Sequence, residues 1–308
     1  MLKRNKISKI GIGTWGIGGL VERNLQNNDK KQINALTHSF NRGINFIEIN
    51  NWYAQGYSME LIKKAIDRAD IGREDLFIVY SVYGYDLKRF NEIEMEINKF
   101  FNVFETDYID SLEFLQKDFK KFGFEKVVNL INKHLAKKTT RCVSISNASL
   151  DFIKRCQDIF GKKLFSHETH YSFEIREIEK LGILDFNLKN NIKSVIFQPL
   201  RRNRTAQRKW PLLVKLSKKY KKTQNQIVLN WLIARGLLPI IKSDNIKHID
   251  ENLAALNFNL KKSDLKLLDN FKVKNYQDVV LSWFNNEDPE AVTIDQLPNT
   301  FDEMYPKN

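Results

Sequence analysis

The sequence has few cysteines, 2 in 308 residues. Cys142 falls on a predicted strand and Cys156 on the helix after it, which excludes a disulfide framework and makes both packed thiols. Long apolar runs are missing too: none approaches the roughly 20 residues needed to span a bilayer, so no membrane partner is expected. The N-terminus, MLKRNKISKIGIGTW, is basic, but its apolar letters alternate with Gly and Lys and form no secretory core. A cytoplasmic protein is the expectation. No linker or low-complexity tract breaks the chain, which predicts one domain over residues 1–308 with a tail from about 272. The chain has only 5 histidines. The two in HETHY, His167 and His170, lie on opposite faces of a strand with no third ligand to join them, so no metal site is expected.

Acidic residues are outnumbered, 37 against 50 basic ones, for a net charge of +13. The densest basic stretch covers residues 201–222, from Arg201 and Arg202 to Lys221 and Lys222. Such a run can neutralise phosphates of a cofactor or of nucleic acid. Aromatics for base stacking are sparse there and no nucleic-acid motif accompanies it, so solvated helix faces are the preferred reading and nucleic acid is not an expected partner.

What the chain does contain is alternation. β-branched apolar runs at 10–14, 45–49, 76–82, 108–115, 142–146, 164–168, 194–197 and 238–242 read as strands, and amphipathic stretches between them read as helices. Eight such pairs predict an α/β fold, a closed (β/α)8 TIM barrel, with its chemistry at the C-terminal strand ends. A hydrophobic content of 42% suffices to fill one barrel core.

Five segments punctuate this alternation: GIGTWGIGG at 11–19, GINFIEINNWYAQGYSMELI at 43–62, REDLFIV at 73–79, TDYIDSLEFL at 106–115 and NWLIARGLLPIIKSDNIKHIDENLAAL at 230–256. In this order and spacing the chain resembles the aldo-keto reductases, NADP-dependent oxidoreductase barrels, from about residue 7 to 271. The resemblance implies an NADP(H) site. Lys242 and Ser243 match the pair that holds the 2′-phosphate, His248 stands where the family has Arg, and Glu251 and Asn252 face the adenine end. Ser146 and Asn147 match the pair on the nicotinamide carboxamide, Glu168 replaces a Gln there, and Phe197 takes the ring-stacking place. A Lys charge, a hydroxyl and the helix N-terminus near Asn245 suit a phosphate dianion. His248 is only partly charged at neutral pH, which predicts weaker NADP(H) binding than the family norm. Glu168 can accept a hydrogen bond from the amide but cannot donate one.

The reaction centre departs further. The resemblance places the proton-donating Tyr at Tyr53, but Glu48 stands at the family's Asp, Ser81 at its Lys and Leu115 at its His. A phenol of ordinary pKa near 10 is a poor acid unless neighbours tune it. Without the Lys cation, Glu48 is expected to be raised towards neutrality by burial. Sliding the fourth strand by one residue would put Gln116 in the His place, but that requires a bulge, and Leu115 is preferred. On that register Glu113 points into the barrel near Glu48. Either the two carboxylates do acid/base work together, or Glu113 meets Arg141 or a water as structural compensation. His170, just past the end of the sixth strand, is expected to line the pocket and to replace the lost His, and Trp52 to wall it.

The candidate catalytic set is therefore Tyr53, Glu48 and His170, with a small-molecule substrate. Two functions stay open: an NADP(H)-binding oxidoreductase with an altered, degenerate tetrad, acting on a carbonyl, an alcohol or in a redox-neutral step, or an inactive regulatory or scaffolding barrel. The tail after 271 either folds over the barrel mouth or docks a protein partner.

Overall fold

The computed structural model describes residues 7–272. The chain runs β1 (Gly11–Ile12), α1 (Asp29–Asn41), β2 (Phe46–Asn50), α2 (Tyr57–Ala69), β3 (Phe77–Ser81), α3 (Glu92–Phe104) and β4 (Ile109–Leu115). It continues through α4 (Gln116–Phe122), α5 (Phe124–Ala136), β5 (Thr140–Ser146), α6 (Leu150–Phe160), β6 (Leu164–His170), α7 (Glu177–Lys180), α8 (Ile183–Lys189) and β7 (Lys193–Phe197). The last elements are α9 (Arg204–Gln207), α10 (Pro211–Tyr220), α11 (Gln224–Ala234), β8 (Leu238–Ile241), α12 (Ile246–Leu253) and α13 (Lys262–Asp269). All strands are parallel, and β1 to β8 close in chain order with β8 paired back to β1. This is the (β/α)8 barrel that the alternation predicts. The proposed tail beyond 272 lies outside the described residues.

The strands are buried on both faces, as parallel strands between a core and a helical layer must be. In β2, FIEIN, Ile47 and Ile49 pack with the helices, while Phe46 joins Val79, Val195, Leu238 and Ile240 in a second cluster inside the barrel. The rings of Phe46, Phe77 and Phe165 close the N-terminal end of that interior, with Phe77 and Phe165 centroids 4.5 Å apart. Deeper polar groups satisfy one another: Ser144 Oγ lies 2.6 Å from both Ser111 Oγ and Ser166 Oγ, bridging three adjacent strands. Helices begin where the sequence supplies caps. Ser149 accepts from Phe152 N–H ahead of α6, Thr223 and Gln226 form a capping box on α11, and Asn245 accepts from Lys247 N–H ahead of α12.

Three differences from the sequence reading bear on the site. Strand β6 runs to His170, so that residue ends the strand and does not follow it. Helix α4 follows β4 without a linker; QKDFKKF is short and mostly charged, so its periodicity is weak. The basic stretch is also less solvated than expected. Arg201 is buried against the Glu174 carboxylate, which also accepts from Thr205 Oγ1 at 3.0 Å and Trp210 Nε1 at 2.6 Å, and Lys219 pairs with Asp264 at 2.7 Å. Both cysteines are buried thiols, and burial raises Cys156 to about 12. Among the described residues no helix is long and apolar enough to cross a membrane.

Candidate functional site

The C-terminal strand ends open into one cavity of about 1060 Å³. Glu48 and Tyr53 line it from β2 and the turn after it. Asn147 and Glu168 line it from the ends of β5 and β6, and Phe197 from β7. Lys242 and Ser243 follow β8, and His248, Glu251 and Asn252 reach it from α12. Ten of the twelve sequence-predicted site residues thus share one wall. Ser146 does not line the cavity: it is fully buried, with Oγ lacking a hydrogen-bond partner. His170 does not line it either. It is buried and stacks behind Phe197 with centroids 5.4 Å apart, and burial, reinforced by Arg201, depresses its pKa to about 3. A neutral, enclosed imidazole is thus what stands where a replacement acid was expected. Trp52 is likewise set back, donating Nε1–H to Asp86 at 2.5 Å and stacking on Trp15 and Tyr85, which do line the cavity.

Tyr53 is held from both sides of its loop. Trp52 N–H bonds to Asn50 Oδ1 at 2.8 Å, and the Ala54 and Gln55 N–H groups donate to Leu20 and Val21 carbonyls at 2.7 and 2.8 Å. Ala54 and Gln55 take positive φ of 50° and 56°, a costly geometry that fixes the turn. The Trp15 ring packs edge-on against Tyr53 with centroids 4.9 Å apart. Burial first, then the nearby Glu48, Glu168 and Glu113, hold the phenol well above its usual pKa.

The acids beside it form a cluster with no cation among the described residues. Strand β4 pairs with β5 without a shift through Leu115↔Ser146, so no bulge moves Gln116 into the His place; Leu115 and Gln116 both reach the cavity, the second as the first residue of α4. On this register Glu113 Oε1 accepts from Ser81 Oγ at 2.6 Å. Arg141 is not its partner: that guanidinium pairs with Asp110 at 2.7 Å. Glu48 accepts from Thr14 N–H at 3.5 Å and is raised to about 8 by burial and by Glu113, against the lowering effect of that N–H, Tyr53 and Ser81. Glu113 is raised to about 7 by burial, and Glu168 well above the carboxylate range by burial and by the other two. Near neutrality this group shares protons, and it can donate as well as accept.

After β8, Lys242 Nζ sits 2.9 Å from Asp244, Ser243 Oγ accepts from Asn245 N–H at 3.1 Å, and Glu251 accepts from Thr223 Oγ1 at 2.8 Å. The cation, the hydroxyl and the first turn of α12 therefore converge.

A sequence model of the Aldo/keto reductase family matches residues 9–272. The chain belongs to the aldo/keto reductase family. Methylglyoxal reductase YeaE of Escherichia coli is 25% identical over 268 residues, 84% of this chain and 89% of that protein. Probable aldo-keto reductase 1 of Glycine max is 22% identical over 299 residues, 85% of this chain and 84% of its own. Among solved structures, a thermostable aldo-keto reductase with the inhibitor epalrestat superposes with TM-score 0.77 and 28% identity, covering 87% of this chain and 96% of that one. An aldo/keto reductase from Klebsiella pneumoniae, crystallised with NADP and acetate, gives TM-score 0.73 at 22% identity over 85% of this chain and 90% of the other.

This family member builds much of its cavity rim from residues that the motifs did not flag. Tyr83, Gly84 and Tyr85 follow β3, Lys117, Asp118 and Lys121 come from α4, and Arg202 and Asn203 follow β7. Asp118 ties the first two groups together, accepting from Leu115 N–H and Gly84 N–H, both at 3.0 Å. A Cβ at Gly84 would sit 2.8 Å from Asp118 Oδ1 and 2.6 Å from the Phe122 ring, so only glycine fits that approach. Positive φ at Gln198, Arg201, Arg202 and Asn203 turns the post-β7 segment towards the cavity. The basic run was the only sequence signal for Arg202.

Proposed function

We propose that this chain is an NADP(H)-binding oxidoreductase of altered acid/base equipment that acts on a small molecule, a carbonyl, an alcohol or a more specialised compound. The observation that carries the reading is the single cavity that joins Tyr53 and Glu48 to Lys242, Ser243, His248, Glu251 and Asn252. Lys242, Ser243 and the α12 N-terminus would hold a cofactor 2′-phosphate, with Arg202 adding charge nearby. Asn147 and Phe197 would hold the nicotinamide end, and Glu168 would accept from its amide. Such a group would supply hydride. Tyr53 is positioned to hold a substrate oxygen, and Glu48, protonated around neutral pH, to hold or yield a proton beside it. Reductase names among the relatives, including those on methylglyoxal, support a small polar substrate.

A specific observation favours a second reading. Ser81 and Leu115 leave Tyr53 with a raised pKa and no cation, which suits an inactive regulatory or scaffolding barrel. Titrating NADPH against tryptophan fluorescence tests the first reading, and Lys242→Ala should weaken binding by roughly 1.5–3 kcal/mol. Absence of binding at millimolar NADPH rejects it. If NADPH binds, Glu48→Gln and Tyr53→Phe decide between catalyst and scaffold: an enzyme loses turnover with both while keeping its NADPH affinity, and a scaffold keeps its cellular activity.

A further inference from the structure

Three buried carboxylates lie at one end of the cavity with no cation of the described residues among them, so that protons are all the described residues offer to neutralise them. Glu48, Glu113 and Glu168 are at most 4% exposed. Each keeps one oxygen, Glu48 Oε1, Glu113 Oε2 and Glu168 Oε2, without a hydrogen-bond partner among the described residues. Glu48 and Glu168 line the cavity itself, Glu168 on the side proposed for the nicotinamide amide, and Glu113 hydrogen-bonds Ser81, so that Glu48 is the acid left to the substrate when cofactor is bound. The same chamber is walled by the aromatic rings of Trp15, Tyr53 and Tyr83, and by Tyr85, whose ring Lys117 already covers. Open acceptors call for N–H donors, and ring faces add attraction for a desolvated cation.

We infer that the acid-lined end of this cavity takes a small organic cation whose charged nitrogen carries N–H donors, a protonated amine or imine. The inference rests on the reading of this cavity as a reaction site and names its substrate class. Such a ligand brings the positive charge that position 81 lacks, so the carboxylates need no Lys of the chain to be ionised around it.

The other charged and titratable groups around the chamber fit this division. On its own side are Tyr53 and Tyr83, both neutral phenols held well above their usual pKa by burial and neighbouring acids. The cations that line the cavity are Lys117, Lys120 and Lys121 on α4, Arg202 after β7 and Lys242 after β8. Lys117 Nζ lies 3.1 Å from the Tyr85 ring centroid, beside Asp118. Lys121 donates to the Gly84 carbonyl at 2.7 Å, and Lys242 pairs with Asp244. Burial lowers Lys117 to about 8, and Asp118 is raised by burial to about 7. Since Glu48 and Glu113 are held at about 8 and about 7, an ammonium must displace protons at low pH and binds the ionised acids at high pH.

Calorimetric titration of the full-length protein with benzylamine, benzyl alcohol and benzoate, with and without saturating NADPH, tests this at about pH 6 and about pH 8.5. Benzylammonium should bind at least about tenfold more tightly than benzyl alcohol at the higher pH, with a smaller gap at the lower. Its binding heat should also vary with buffer ionisation, because protons are released. Glu113→Gln should narrow the gap. Equal affinity for amine and alcohol at both pH values, or tighter binding of benzoate, overturns the inference using the wild-type protein alone. A protein that prefers benzylammonium yet binds no NADPH would retain the cation site while losing the proposed function.

Discussion

Strand β4 carries two buried acids three residues apart, and they have opposite surroundings. Asp110 is 1% exposed, with Arg73 at 2.8 Å, Arg141 at 2.7 Å and Ile78 N–H at 3.0 Å. Both guanidinium groups stack on Tyr108, at 4.2 and 3.8 Å from its ring centroid. Glu113, fully buried, has a serine hydroxyl and two other carboxylates as neighbours. Parity separates them: Asp110 faces away from the barrel axis, where Arg73 and Arg141 reach it, and Glu113 faces the axis, where no cation of the described residues pairs with it. An acid that serves the fold is neutralised. The acids at the cavity are left to titrate, and that is a property of a site and not of a core.

The comparison breaks most sharply if the missing cation is put back. Replacing Ser81→Lys, Leu115→His and Glu48→Asp together should raise reduction of simple aldehydes by about 10²–10⁴-fold over the wild type, followed by loss of NADPH absorbance. A folded, NADPH-binding triple variant with no such gain would mean that these positions do not converge on one substrate atom. Removing the structural acid is the second test. Asp110→Ala strands two guanidinium groups and should cost roughly 2–4 kcal/mol in urea unfolding. A loss below about 1 kcal/mol would place the Asp110 pairs with ordinary surface pairs and erase the contrast.

The third test is pH dependence. Folding raises Glu48 from 4.5 to about 8 and Glu113 to about 7, so above pH 4.5 the folded chain keeps protons that the unfolded chain has released. Stability from these groups therefore falls as pH rises from about 4.5 through 8, the reverse of a salt-bridged acid. Thermal unfolding at about pH 5.5 and about pH 8.5 should show a lower midpoint at the higher pH, and Glu113→Gln should reduce the difference. An unchanged difference would show that Glu113 does not contribute to it.

The eight strands, their closure into a barrel and the closeness of Lys242, Ser243 and the α12 residues were legible in the chain, whereas α4, α7, α8, α9 and α10 were not. Period and turn chemistry are local properties, and Lys242 to Asn252 lie on one turn and one short helix, so their spacing alone brings them together. Glu48 as a residue of raised pKa was legible for the same reason: its strand is apolar and its counter-ion is missing from the sequence. Other features depended on closure. Glu48, Glu113 and Glu168 come from three strands, and they meet only because the barrel's stagger brings those strand ends to one chamber. Whether Arg141 serves Asp110 or Glu113, whether His170 faces the cavity or the back of Phe197, and how α4 ties Gly84 into the rim were decided by packing between elements distant in the chain. A single sequence records which residues share a face, but which faces share a space is set by tertiary structure.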